Sequence, residues 1–270
     1  MSDWLTNNAD MIRLGTFLGL FGLFALLEAR SPFRTNQFPR HFRWLTNIAV
    51  VVAGTLALRL LLPVMAAGTA WYAGEHGYGL FNILGLPLWV SVPLGLLLLD
   101  FTIYLQHVTF HHVPLLWRLH KIHHTDLDLD VSTALRFHPL ELLLSMMIKM
   151  SVVFALGLPL VAVILFEMIL NGMALFNHSN LRLPETVDRG LRRLIVTPAM
   201  HTVHHSCHTD ETNSNYGFNL SCWDRLLGTY RDRPAAGYGH MTIGLQNYRK
   251  IGELGFLSLL RLPFIKEERP

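Results

Sequence analysis

The sequence predicts an all-α, integral-membrane fold carrying a histidine-rich, metal-binding cap on one side of the bilayer. Three observations lead there. The 270-residue chain is 51% hydrophobic and only 15% charged, against about 25% charged in an ordinary soluble domain. The apolar residues fall in runs that approach or exceed the roughly 20 residues a membrane crossing needs. Most of the 15 histidines gather in short motifs next to those runs.

The elements follow in order. The N-terminus, Met1-Ser2-Asp3-Trp4, has neither a basic n-region nor a small-residue cleavage site, so the first apolar run reads as a retained span rather than a signal peptide. That span covers about residues 10–29. A second covers about 44–66, with Arg59 inside it, and a third about 83–105, where Pro87 and Pro93 are expected to cause a bend. The run from Leu140 to Phe176 is too long for one crossing. Gly157 and Pro159 mark the tip of a helical hairpin over 140–176, with arms of about 140–157 and 159–176. Lys149 in the first arm is expected to snorkel or to pack against protein, because a charge in mid-bilayer is costly. The tail, 251–264, is apolar but short, which suits an interfacial or packing helix. No repeat, low-complexity tract or linker interrupts the chain, so residues 1–270 read as a single domain of about four spans or hairpin arms. The cap is then assembled from 106–139 and 177–250.

The formal net charge is +3. Arg30, Arg34, Arg40 and Arg43 crowd one loop between apolar runs, an orientation signal that places this loop, and with it every histidine motif, on the cytoplasmic side. No stripe of basic and aromatic residues points to nucleic acid. Cys207 and Cys222 lack metal-type spacing and form no disulfide framework, as expected of thiols facing a reducing cytosol.

The histidine motifs are His107-Val-Thr-Phe-His111, His120-Lys-Ile-His123-His124 and His201-Thr-Val-His204-His205. On a helix, residues three and four apart share a face, so each motif aims its imidazoles to one side. His178, at the inner end of the hairpin, adds a ninth ring. Many uncompensated imidazoles crowded beside a membrane face desolvation and mutual repulsion on protonation; metal ligation removes both. Four or five nitrogens per ion suits two ions, each with an open position. Such a set favours iron over structural zinc, which takes four ligands and often thiolates, although zinc is an ion the isolated protein could carry. The Glu-x-x-His pattern of carboxylate di-iron bundles is absent. His138 is a further candidate ligand, or a partner of Glu141 or of a phosphate; His208 is a candidate neighbour of the site, while His112, His41, His76 and His240 read as ordinary residues. Asp100, Asp126, Glu141, Asn177, Asn215 and Asp224 are candidates to fix the ring tautomers from outside, with Asp224 more readily the partner of Arg225 or Arg118. Asn215-Tyr216-Gly217 reads equally as a loop near the metals and as a simple turn.

Several longer stretches resemble the fatty acid hydroxylase, or sterol desaturase, superfamily of membrane oxygenases. They are Leu115–His124, Thr133–Glu141, Phe176–Asn180, Thr197–His205, Asn215–Asn219 and Trp223–Tyr230, within about residues 95–235. The resemblance implies a di-iron centre on His107, His111, His120, His123, His124, His178, His201, His204 and His205, with O2 as co-substrate. It implies a lipid substrate drawn from the bilayer and an external electron donor of ferredoxin or cytochrome type with its reductase; no cytochrome b5 domain is fused here. The expected activity is hydroxylation of a C–H bond of a fatty acyl, sterol or other lipid. The alternative within that chemistry is desaturation at the same centre. The alternative of another class is a non-enzymatic membrane metal-binding or metal-transport protein, although transport sites lie at the midplane of broken helices. A zinc hydrolase would want a glutamate beside its ligands, as in HExxH, and none of the motifs has one.

Overall fold

A computed structural model describes residues 2–265. Those residues form helices and loops without any strand; three isolated bridges, such as Pro32 with Leu181, tie loops together. Five stretches are long and apolar enough to cross a membrane: Met11–Arg30, Arg40–Ile83, Leu88–His112, Pro139–Leu156 and Leu160–His178. The first is the greater part of α1 (Ser2–Arg30). The second is not one helix. It comprises α2 (Arg40–Leu61), α3 (Ala66–Glu75) and the single turn α4 (Leu80–Ile83). The expected span of 44–66 therefore stops early, since Pro63 follows directly on the extended residue Leu62 and the residue before a proline is biased out of the helical region. The third, α5 (Leu88–His112), starts five residues later than expected and runs past 105. Gly85 has φ 60° and Pro87 sits at the N-cap, so the helix begins after Pro87 instead of bending at it, while Pro93 lies inside it. His107 and His111 consequently ride on a membrane helix, not in the cap.

The hairpin forms where it was expected, as α7 (Pro139–Leu156) and α8 (Leu160–His178). Gly157 closes α7 at φ 64° and Pro159 precedes α8. Glycine is required there for a second reason. Its backbone abuts Gly79, where an added Cβ would lie 2.2 Å from Gly157 N. This contact pins the hairpin tip to the α3–α4 segment, and α3 packs along both arms.

The other end of the bundle gathers the histidine motifs. The Glu28 carboxylate, at the end of α1, accepts from Val131 N at 2.9 Å and Asn180 N at 3.0 Å, drawing together the end of α1, the turn 131–135 before α7 and the chain just after α8. Arg43 is almost completely buried, so it is no solvated orientation charge. Its guanidinium binds Asp126 at 2.5 Å, Asp130 at 2.7 Å and Asp128 O at 2.7 Å. Arg136 donates to Ile122 O, Asn47 Oδ1 and Thr125 Oγ1. The loop between α6 (Pro114–His124) and α7 is thereby clamped onto α2. Burial raises the Asp126 carboxyl, but Arg43 and Arg136 outweigh it and hold Asp126 well below the usual carboxylate range. Lys149 packs against protein, 3.4 Å from Glu167 on α8, which also meets Arg13 of α1 at 2.8 Å.

The remaining cap is built from short helices: α9 (Glu185–Leu191), α10 (Pro198–His204), α11 (Thr209–Thr212) and α12 (Cys222–Leu226). The tail holds α13 (Phe256–Arg261), whose region buries Leu254, Leu259 and Leu262 against Val50, Ile122 and Leu127. It is a packing helix against α2, and the turn 262–264 that follows it packs on α6.

Candidate metal centre

Each histidine motif sits at a helix end. His107 and His111 occupy the last turns of α5, and His178 is the last residue of α8. Pro114 at the first position starts α6, which ends on His120, His123 and His124. In α10, Pro198 takes the first position and Thr197 Oγ1 accepts from Met200 N, so the helix carries His201 and His204 and ends at His205. All nine rings are buried.

The nine rings form two groups. One nitrogen each from His107, His111, His120, His124 and His204 lies within 4.8 Å of the others, and the same holds for His123, His178, His201 and His205. The expectation that each HxxHH motif points one way needs refining. At about 100° per residue, i+4 lies some 40° to one side of i, whereas i+3 lies about 60° to the other. In α6, His120 and His124 therefore enter the five-ring group and His123 the four-ring group; in α10, His201 and His205 enter the four-ring group and His204 the five-ring group. Two short helices thus serve both groups, in opposite proportions, and hold them side by side: the His124 and His205 rings stack at 4.7 Å.

The donor atoms fit metal ions. His178 Nδ1 donates to Ala174 O at 2.7 Å, which leaves Nε2 with a bare lone pair. That Nε2 lies 3.0 Å from both His123 Nε2 and His201 Nε2, and His201 Nε2 lies 3.2 Å from His205 Nε2. Ligand nitrogens about 2.1 Å from one ion and at right angles stand about 3.0 Å apart. In the five-ring group, Nε2 of His107, His111, His120 and His204 is buried without a partner. Leaving such an atom unsatisfied costs about 1–3 kcal/mol each, a cost that a shared cation removes. Burial, then the neighbouring rings, lower the pKa of His123, His124, His201, His204 and His205 well below the ordinary histidine value, so these rings are neutral and offer lone pairs. No cysteine or carboxylate joins either group.

The atoms that orient the rings are mostly not the expected ones. Glu141 is one: its Oε1 lies 2.6 Å from His120 Nδ1. The others are Tyr216 O on His107 at 2.8 Å, Ser214 O on His204 at 2.7 Å, Asn213 Oδ1 on His111 at 3.2 Å, and Ala174 O on His178. Backbone carbonyls carry no side-chain signature, and Asn213 lacked a motif to single it out. Asp100, Asp126, Asn177, Asn215 and Asp224 form no hydrogen bond to a ring of the two groups; four of them build the loop that does, Asn177 by donating to Phe218 O at 2.6 Å. Asp224 accepts from Tyr216 N at 2.7 Å and Gly217 N at 2.8 Å, rather than pairing with Arg118 or Arg225 through hydrogen bonds. Asp100 binds Asn219 N, Leu220 N and Trp223 Nε1. Asn215, at φ 52°, donates to Met200 O and Arg231 O. Asn215-Tyr216-Gly217 is therefore both a turn and a loop beside the centre. His138 lies outside both groups: it caps α7, accepting from Leu140 N at 3.1 Å, with its other nitrogen 3.3 Å from Leu260 O. His112 faces the Tyr216 hydroxyl at 3.2 Å, and His208 precedes α11 outside either group.

This geometry coincides with a family match. The profile described as Fatty acid hydroxylase covers residues 92–229, which span all nine rings. The chain is 32% identical to the ornithine lipid hydroxylase OlsE of Rhizobium tropici over 94% of its own length and 76% of that protein's. It is 26% identical to the Delta(7)-sterol 5(6)-desaturase erg3B of Aspergillus fumigatus over 78% of this chain and 60% of the relative. With human alkylglycerol monooxygenase the identity is 29%, covering 57% of this chain and 34% of the relative. No solved structure matches. The chain belongs to the fatty acid hydroxylase family.

Proposed function

We propose that this protein is a membrane di-iron oxygenase that hydroxylates a lipid C–H bond, in a single domain spanning 1–270. The observation that carries the reading is the pair of buried, adjacent, all-histidine groups in a chain of this family. Nine buried imidazoles without thiolate suit two ions of high coordination number, and iron in preference to zinc. When bound, the iron pair would supply O2-dependent removal of a hydrogen atom from an unactivated C–H bond. The chain's own groups do the rest. His107, His111, His120, His124 and His204 would hold one ion, and His123, His178, His201 and His205 the other. Glu141 and the carbonyls of Tyr216 and Ser214 fix the ring orientations. Burial of every ring excludes bulk water, which protects a reactive oxidant from side reactions. The substrate comes sideways from the bilayer, because the rings sit at the ends of membrane helices. Hydroxylation is favoured over desaturation by the breadth of the match to a lipid hydroxylase.

The aqueous face is assigned to the cytoplasm, where a ferredoxin- or cytochrome-type donor with its reductase delivers electrons. Arg30, Arg34 and Arg40 support this orientation; buried Arg43 no longer counts. Impermeant maleimide should label Cys207 only after the membrane is opened. Activity is tested by comparing lipids of cells with and without the gene. The reading expects one lipid class to gain one oxygen, and His204→Ala to abolish the gain while the protein stays in the membrane. Loss of two hydrogens instead would assign desaturation, and an unchanged lipid profile would count against both.

A further inference from the structure

Against the membrane-embedded side of the histidine groups, α5, α7, α8 and the turn 131–135, with Phe17 of α1 and Val51 of α2, line a partly open cavity of about 220 Å³. It meets the centre at three points. Phe137 stacks on His123 at 4.4 Å, Glu141 holds His120, and Ala174 O holds His178. Much of the wall is apolar, including Val51, Ile103, Leu142, Leu170 and Phe218. A cavity of about 150 Å³ takes one benzene ring, so this one has room for a segment of lipid chain.

Two carboxamides interrupt the apolar wall. Gln106, the residue before His107, donates through Nε2 to Ser145 Oγ at 3.0 Å, which fixes its orientation. Its Oε1 is buried and has no partner. Asn171 on α8 is exposed at the cavity and forms no side-chain hydrogen bond among the described residues. Neither arrangement suits a site meant only for hydrocarbon, since an unpaired polar group at this depth is costly. Both are explained by a ligand that is polar at one point along its chain.

We infer that Gln106 is a specificity-determining residue whose Oε1 accepts a hydrogen bond from an N–H or O–H carried on the lipid chain close to the reacting carbon. Asn171 offers an N–H to an accompanying carbonyl. A secondary amide satisfies both carboxamides, a hydroxyl satisfies Gln106, an ester lacks the donor that Gln106 needs, and an alkane offers nothing. Sites built around a buried hydrogen-bonding group reject analogues that lack the partner far more strongly than hydrophobic pockets reject size variants. This inference rests on the oxygenase reading in one respect: the occupant of the cavity is taken to be the substrate.

The test uses purified full-length protein in nanodiscs and four probes of equal chain length: N-hexyloctanamide, pentadecan-8-ol, hexyl octanoate and pentadecane. Equilibrium binding and oxygen incorporation are measured separately. Wild-type protein should bind the amide and the alcohol at least about tenfold more tightly than the ester, a difference of about 1.4 kcal/mol. Gln106→Leu should bring amide, alcohol and ester to within about threefold of one another, at unchanged iron content. Asn171→Leu, two helical turns before His178 and without a hydrogen bond to any ring, should narrow the gap between amide and alcohol while leaving alcohol above ester; it stands in if Gln106→Leu fails to fold. Equal binding of amide, alcohol and ester by wild-type protein would overturn the inference and leave the oxygenase reading intact. Selective binding of the amide and alcohol with no oxidation of any probe, given O2 and reductant, would uphold Gln106 and sink the oxygenase reading.

Discussion

The two histidine groups are neighbours and share two helices, yet they are built differently. In the five-ring group, His107, His111, His120 and His204 each have Nδ1 held by an outer acceptor. In the four-ring group only His178 is held in this way; Nδ1 of His123, His201 and His205 is buried without a partner. An imidazole tied through one nitrogen has its tautomer and ring plane fixed before metal arrives, and loss of such a partner costs about 10–100-fold in affinity or activity. Four rings of the five-ring group are thus preorganised by the protein; the fifth, His124, has no hydrogen-bond partner on either nitrogen. The four-ring group converges as closely, but only His178 is anchored from outside; a bound ion, together with the stack of Phe137 on His123, would fix the other rings.

The strongest way to break this comparison is to remove a ring. His204→Ala, in the five-ring group, and His201→Ala, in the four-ring group, should both reduce lipid oxidation below detection. Retained activity in either would remove that ring from the centre. The sharper readout is metal: His201→Ala should leave about one iron per chain, held by the anchored group. Iron analysis of the purified variant checks this.

Next in size are the anchors. Glu141→Leu frees His120 Nδ1 and should lower activity by about 10–100-fold, while Glu141→Gln, which keeps an acceptor oxygen, should recover much of it. Turnover in membranes distinguishes the two. Asp224→Asn acts one step further out, on the loop carrying Tyr216 O and Ser214 O. Losing a charge-assisted bond to the loop amides, worth about 1.5–3 kcal/mol, should cost activity about tenfold and weaken iron retention in the five-ring group before the other.

The smallest effect is expected at His138. It caps α7 and touches neither group, so His138→Ala should lower stability by about 1 kcal/mol with iron content unchanged. Loss of an ion in that variant would contradict the placement of His138 outside the centre.

The difference between the groups also separates what the sequence could disclose from what it could not. The nine ring positions were legible because helical spacing and helix ends are local properties, and His120, His123 and His124 could hardly avoid one another. Their division into five and four was not, since it depends on how α6 and α10 are rotated about their axes by long-range packing. Glu141 was readable as an acceptor beside a histidine motif. Tyr216 O, Ser214 O and Ala174 O were not, because every residue has a carbonyl. In the fold, the hairpin tip was legible in Gly157 and Pro159, whereas the end of α2 at Leu61 was masked by apolar residues continuing past Pro63, the signal that marks it. Arg43 looked like a loop charge because its partners, the carboxylates of Asp126 and Asp130 and the carbonyl of Asp128, lie over 80 residues away in sequence.

Iron Mössbauer spectroscopy on the protein purified with its metal intact tests the central claim most directly. Two irons per chain in two inequivalent environments of equal weight are predicted, with the signal from one environment disappearing first as chelator is added. One iron per chain, or full lipid oxidation by iron-free protein, would contradict it.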